Sequence, residues 1–486
     1  MADDPASGRY RPRSGADRST DIPPAPEPDG LPLLGNTHQY LRDPLTFHER
    51  HARDLGDVVR VRLAGGSFHY VTHPEDIQRV LVSDQHRFRK ASQVAEAGGG
   101  FLTDGMFLAT GEQWRRARTV AQPAFYRERV ERYGRHAVAA TREATAGWSD
   151  GDRVDLGAVT KRVTLDVLVR ALFDRDLDDE FGQTVAEAAR TVNDFLDATS
   201  LRTVLPLPDW LPTPSKRRFE AARADFDDAV DDLLDDRGGP GDDAATDGPT
   251  SMDAIEDPDL LDLLLAANRA ADEDDRLSRA ELRDNLVTFL FAGHETTALA
   301  LSYAGHLLAG APDASDRLTA EVDALGGEPT VAALPDLPYT EAVVKESMRR
   351  YPPLYTLFRE PLEPVDLGGR RVPAGATLVL PQRIVHTDPR WWDDPETFHP
   401  ERWLDDDSED RSQAAPAADD RPEYAYFPFG GGPRHCIGAR FAMLEARLAL
   451  ATLARDWRFT DQGEVTPSLN VTLQPEEPIE VTVRRR

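Results

Sequence analysis

The stretch Phe429-Gly430-Gly431-Gly432-Pro433-Arg434-His435-Cys436-Ile437-Gly438 decides the reading of this chain. It holds the one cysteine among 486 residues. Glycines on both sides of the sulfur permit a tight turn and a close approach of the backbone to something flat and bulky. The residues that follow, Ala439-Arg440-Phe441-Ala442-Met443-Leu444-Glu445-Ala446-Arg447-Leu448, carry the pattern of a helix. A thiolate just before a helix lies at the positive end of its dipole, which is expected to lower the thiol pKa.

A lone cysteine is ordinarily a small core hydrophobe. A nucleophile or a redox sensor wants a histidine beside it or a resolving cysteine. His435 is adjacent in sequence, so its side chain is expected to point elsewhere. A zinc site needs more ligands than one cysteine and scattered histidines supply. What remains is a single thiolate as the axial ligand of a haem iron. The pattern Phe-x-x-Gly-x-Arg-x-Cys-x-Gly, with its helix, closely resembles the haem-binding loop of the cytochrome P450 family, and every signature position is filled. The resemblance implies haem b as cofactor and Cys436 as the metal ligand, with Phe429, Arg434 and Gly438 shaping the cofactor site.

Composition bounds the rest. The chain is 40% hydrophobic, carries a net charge of −29 and contains 34 glycines and 37 prolines. It has material for a large core, and length alone would suggest several domains. The acidic excess argues against nucleic acid or an anionic membrane as partner. Lysine occurs only at Lys90, Lys161, Lys216 and Lys345, and the other cations are arginines. Acidic excess with so little lysine is the pattern expected of a halophilic, archaeal protein that needs screening salt. One cysteine permits no internal disulfide and fits a reducing compartment. Met1 to Asp29 is charged, proline-rich and expected to be disordered, with no signal peptide or anchor. The expectation is a soluble cytoplasmic protein whose residues 30–486 form one haem domain.

Three further segments resemble the same family, in family order. Gly111-Glu112-Gln113-Trp114-Arg115-Arg116-Ala117-Arg118 opens a helix on which Trp114 and Arg118 share a face. A solvated basic face is the ordinary reading of such a run, and the resemblance instead implies that both bind a haem propionate. Ser278-x-x-Glu281 is a capping box that starts an apolar helix running to Gly310. At its middle stands Ala292-Gly293-His294-Glu295-Thr296-Thr297. The small pair leaves room for a flat ligand and oxygen. Read alone, the segment could be a packing notch with Thr296 bonded back to a carbonyl. The resemblance implies that Glu295 and Thr296 relay protons to oxygen at the iron. Glu346 and Arg349 are three apart on another helix, and by resemblance they pair with Arg402 to support the core beneath the haem. Arg359 matches a second propionate position, and Leu354 to Phe358 are expected to line the pocket.

The hairpins expected from turn signals join Val58–Leu63 to Phe68–Val71, Arg370–Val372 to Thr377–Leu380, and Leu469–Leu473 to Ile479–Val483. The whole resemblance implies the family's single, triangular, mainly α fold with small β-sheets. It implies a haem-thiolate monooxygenase that inserts one atom of O2 into a lipophilic substrate. With 50 residues after Cys436 and no fused reductase domain, electrons are expected from a ferredoxin and its reductase, docking where Arg434, Arg440 and Arg447 offer positive charge. A haem-thiolate sensor would not need Glu295 and Thr296, and an isomerase or peroxygenase would not consume O2 with electrons.

Overall fold

A computed structural model describes residues 22–64, 66–92, 105–200, 214–239, 249–404, 421–461 and 463–486. The helix Arg279–Ala309, 31 residues long, runs through its centre. The expected capping box forms. Ser278 Oγ accepts the Glu281 N–H at 3.2 Å, and the Glu281 carboxylate accepts the Ser278 N–H at 2.9 Å. The helix is apolar around most of its circumference because it is buried on most sides. Its nearest companion is the helix Leu156–Phe173. A Cβ at Gly293 would meet Leu168 Cδ1 at 3.0 Å, so the two helices approach closely there. Helices Gly134–Thr145, Pro338–Arg350 and Ala439–Asp456 close the same core. Each leucine or phenylalanine fully buried in it contributes about 1.5–3 kcal/mol relative to exposure. Among the described residues, no helix is long and apolar enough to cross a membrane.

The β structure is smaller and differs from expectation in its pairings. Val58–Leu63 and Gly66–Val71 form the expected antiparallel hairpin, with Val61 opposite Phe68; residue 65 of its turn lies outside the described residues. Thr377–Leu380, however, does not pair with Arg370–Val372. It lies between Gly66–Val71, to which it is parallel, and Leu357–Pro361, to which it is antiparallel. Arg370–Val372 pairs back onto Val365–Leu367. Gly368 and Gly369 make that turn at φ 54° and 69°, a left-handed pair that suits a two-residue hairpin. The last expected hairpin also divides. Pro467–Leu469 pairs with Leu473–Pro475, whereas Glu480–Arg485 joins Trp457–Thr460 and Arg153–Asp155.

The disorder expected over residues 1–29 is corrected at its end. Residues 1–21 lie outside the described residues, but from Pro23 onward the chain is held. Pro23 O accepts the Arg371 N–H at 2.9 Å, Pro26 O accepts the Arg60 N–H at 2.9 Å, and Glu27 pairs with Arg60 and Arg62. Ala25 is buried against the sheet. Of the proline breaks expected near residues 206–214, only Pro214 is described, as the first residue of the helix Pro214–Asp236; the acidic loop at 405–420 and most of the glycine-rich 91–106 stretch fall outside the described residues.

Glu346, Arg349 and Arg402 do meet, fully buried. Arg349 donates two bonds to the Glu346 carboxylate, both at 2.8 Å, and Arg402 Nε donates a third at 3.1 Å. Trp403 Nε1 and the His399 N–H add bonds at 2.9 and 3.1 Å. A buried ion pair survives only when its remaining polar atoms are satisfied in this way.

Candidate active site

Between the middle of the central helix and the cysteine loop lies an apolar cavity, about 1670 Å³ of atom-free space with its open mouth included. One wall is the central helix at Ala292, Gly293 and Thr296. The opposite wall is Phe429, Gly430, Cys436 and Gly438. The loop is built to hold that wall still. Cys436 N–H donates to Phe429 O at 2.9 Å. Both backbone groups of Phe427 are engaged from below: its N–H donates to His386 Nε2 at 2.9 Å and its O accepts from Gln382 Nε2 at 2.6 Å. Gly432 stands at φ 64° with Leu81 O so close that a Cβ would sit 1.9 Å from it. No other residue fits that point.

Cys436 presents its accessible surface to the cavity while protein encloses it elsewhere. Burial pushes its thiol pKa up. The N–H groups of Gly438 and Ala439 and the Arg118 guanidinium pull the other way and do not prevail. The expected net lowering by the helix end is therefore corrected. Desolvation outweighs the dipole in the protein alone, and a metal cation would be what holds the sulfur deprotonated.

Trp114 and Arg118 both reach the cavity, as their four-residue spacing predicts. Arg115 and Arg116 on the other faces are paired with Glu112, Asp275 and Glu281. Arg118 donates to His435 O at 3.0 Å. Arg434 turns inward, donates to Ala109 O at 2.9 Å and stacks its guanidinium 4.6 Å from the Trp114 ring centre. Arg359 lines the cavity and bonds its neighbour's carbonyl, Phe358 O, at 2.8 Å. Lys90 joins them, donating to Phe107 O and lying 3.5 Å from the centre of the Phe107 ring.

Among the described residues, none of these four cations forms an ion pair with a carboxylate. Burial lowers all four. Arg434 falls to about 10 from burial alone, Arg359 to about 10 with Arg434 beside it, and Lys90 to about 7 with Arg359 and Arg434 adding to the effect; burial also lowers Arg118. Half-buried cations of one sign gathered without a counter-charge are unfavourable. They fit a ligand that brings its own carboxylates. A haem, flat, apolar in its body and doubly anionic at one edge, matches the donor set: one accessible sulfur, two small-residue walls and a cationic rim.

Two expectations are corrected here, for Phe358 and for the docking arginines. Thr296 lines the cavity and Glu295 beside it does not. Glu295 is 5% exposed and faces away, to Gln474 Nε2 at 2.8 Å and Lys161 Nζ at 4.0 Å. Thr296 is at the cavity and donates back to Ala292 O at 2.7 Å, the bond that a packing notch would show. Phe358 points out of the pocket, because side chains alternate along Leu357–Pro361 and Leu357 and Arg359 take the cavity side. The second correction concerns the docking arginines. Arg434 is in the cavity, and Arg447 is held by Glu341 and by the carbonyls of Leu334 and Leu337. Of the three, only Arg440 is exposed.

Sequence reasoning missed Lys90 and Gln474. The scarcity of lysine was a signal for Lys90; nothing local marked Gln474.

A family model for cytochrome P450 matches residues 23–483. Similar proteins include cyclooctat-9-en-7-ol 5-monooxygenase of Streptomyces melanosporofaciens, 33% identical over 441 residues, covering 89% of this chain and 88% of the relative. Pentalenene oxygenase of Streptomyces avermitilis is 33% identical over 438 residues, covering 89% and 90%. The protein LUTEIN DEFICIENT 5 of Arabidopsis thaliana is 30% identical over 457 residues, covering 89% and 72%. With its thiol-floored cavity and a family match over residues 23–483, the chain belongs to the cytochrome P450 family, as an oxygen-incorporating oxidoreductase that uses haem b and acts on lipophilic substrates.

Proposed function

We propose that Cys436 is the axial ligand, that Trp114, Arg118, Arg359, Arg434 and Lys90 hold the haem carboxylates, and that Phe429, Gly438 and Ala292 bound the ring. The observation that carries this is the cavity itself: an accessible sulfur facing a rim of cations that lack carboxylate partners among the described residues. When bound, the haem supplies the oxidation, and an anionic sulfur at the iron favours cleavage of the O–O bond.

The chain supplies position, dryness and protons. Thr296 Oγ stands at the cavity wall and gives its proton toward the ligand side. Glu295, one residue before it on the helix, resupplies it. This pair supports turnover with O2 and electrons over peroxide-driven chemistry. The test is the balance of oxygen, electrons and product. Thr296→Ala is expected to divert electrons to hydrogen peroxide while the haem stays bound. Full coupling in that variant would remove the role.

The substrate wall is apolar, with Phe289, Leu168, Leu172, Leu260 and Met348 around the space. It fits a rigid hydrocarbon skeleton, and the names of two relatives, cyclooctat-9-en-7-ol 5-monooxygenase and pentalenene oxygenase, support a polycyclic terpene as the class. A titration of the haem spectrum with pentalenene, a steroid and a long-chain fatty acid separates the classes.

A ferredoxin with its reductase is our proposed electron source for a cytoplasmic enzyme whose haem domain begins near residue 23. Arg440 is its proposed contact beneath Cys436, and Arg440→Glu is expected to slow reduction. We also propose a salt requirement from the charge of −29. The melting temperature should rise from low to molar KCl as screening relieves self-repulsion.

A further inference from the structure

Glu295 is the one member of the relay that the cavity does not touch, and what holds it away comes from the far end of the chain. Gln474 Nε2 donates to Glu295 Oε1 at 2.8 Å, and its second contact is Thr472 Oγ1 at 3.4 Å. Gln474 sits on the strand Leu473–Pro475, which is firmly seated. The Leu473 N–H donates to Pro353 O at 2.9 Å, Leu473 O accepts from Tyr303 Oη at 3.0 Å, and the Leu473 side chain is fully buried. Tyr303 belongs to the same central helix as Glu295, and Pro353 lines the cavity. The amide that grips Glu295 is therefore fixed with respect to both the helix and the pocket.

On its other side the same carboxylate oxygen faces Lys161 Nζ at 4.0 Å. The Lys161 side chain is 40% exposed and the Glu295 side chain 7%. One contact thus joins a buried carboxylate to a cation in contact with water. Lys161 is one of only four lysines in the chain. It lies on Leu156–Phe173, the helix that packs along the relay segment, where Thr164 also donates to His294 O at 2.9 Å.

We propose that Gln474 is a positioning residue of the proton path: it holds Glu295 on the solvent side against Lys161, so that the carboxyl takes up a proton there and reaches the Thr296 side only by leaving the Gln474 amide. Lys161 is the aqueous end of that path. This rests on the reading of Glu295 and Thr296 as the relay. The proton taken from water at Lys161 is the one given up at Thr296, so no further reactant is needed.

Two measurements on the holoenzyme test it. The first is the infrared signature of the Glu295 carboxyl, assigned by its disappearance in Glu295→Gln. Gln474→Leu and Lys161→Met should each shift that band, and Gln474→Lys, which keeps a donor, should return it toward the wild-type position. The second is the solvent deuterium isotope effect on oxygen-dependent NADPH oxidation with a surrogate ferredoxin and its reductase. Gln474→Leu should slow oxidation by about tenfold, a modest share of what a positioned acid provides, and raise the isotope effect, with haem content unchanged. An unmoved band in Gln474→Leu, or an isotope effect that Glu295→Gln changes and Gln474→Leu does not, overturns the positioning role and leaves the relay standing. If Glu295→Gln itself matches wild type in rate and isotope effect, the relay reading fails, and this one with it.

Discussion

His386 Nε2 accepts the backbone N–H of Phe427 at 2.9 Å, and both groups are fully buried. The bond places a neutral imidazole directly under the loop that carries Cys436. Since an N–H is the donor, this ring nitrogen must be unprotonated.

That relationship sets a pH response. Burial, with the Arg349 guanidinium nearby, pushes His386 down to about 3 from 6.5. The unfolded chain binds a proton throughout that window and the folded chain does not. Stability is therefore lost as pH falls from about 6.5 toward 3, by about 1.4 kcal/mol per unit for such a group. His294 and His306, pushed to about 4 by burial first of all, add the same sign. Urea midpoints measured from pH 7 to 5 should fall steadily, and His386→Gln should show a shallower slope. A flat profile would show that these rings are not held neutral.

The floor of the cavity depends on one backbone conformation. Gly432 has φ 64° and no room for a Cβ against Leu81 O, whereas Gly375, at φ 73°, has open space around that point. Gly375→Ala should cost about 1–2 kcal/mol for the left-handed conformation alone. Gly432→Ala should cost clearly more and lower haem content as well. Equal urea midpoints for the two variants would contradict the close approach.

The cationic rim predicts how tightly the cofactor is kept. A hydrogen bond to a charged group is worth about 1.5–3 kcal/mol, so Arg118→Met, Arg359→Met and Lys90→Met should each speed haem transfer to apomyoglobin by about 10- to 100-fold. Without haem, Lys90 has a pKa of about 7 against 10.5 unfolded. The unfolded chain then holds the extra proton between those values, and the haem-free protein should gain stability as pH rises through that range. Lys90→Met should abolish that gain.

What was legible in the sequence was what a short stretch determines by itself. The capping box at Ser278 and Glu281, the shared face of Trp114 and Arg118, and the pairing of Glu346 with Arg349 each need only helical spacing. The cysteine loop needs only its own glycines. What was not legible depends on which distant element arrives. Glu295 is held away from the cavity by a residue 179 positions later, which no local pattern announces. Arg447 read as surface charge until Glu341 claimed it, and Arg434, expected both at the cofactor and on the docking face, turns inward onto the Trp114 ring. Strand partners failed for the same reason. Thr377–Leu380 fits a hairpin by turn chemistry, yet two other strands supply better neighbours on both edges.

The central claim is that the sulfur of Cys436 holds the iron of a haem. The most direct measurement is the absorption of the purified, reduced holoprotein under carbon monoxide. Thiolate ligation predicts a band at about 450 nm, lost when Cys436→Ser is compared at equal protein concentration. A band unchanged by that substitution, or a protein that takes up no haem at all, would contradict it.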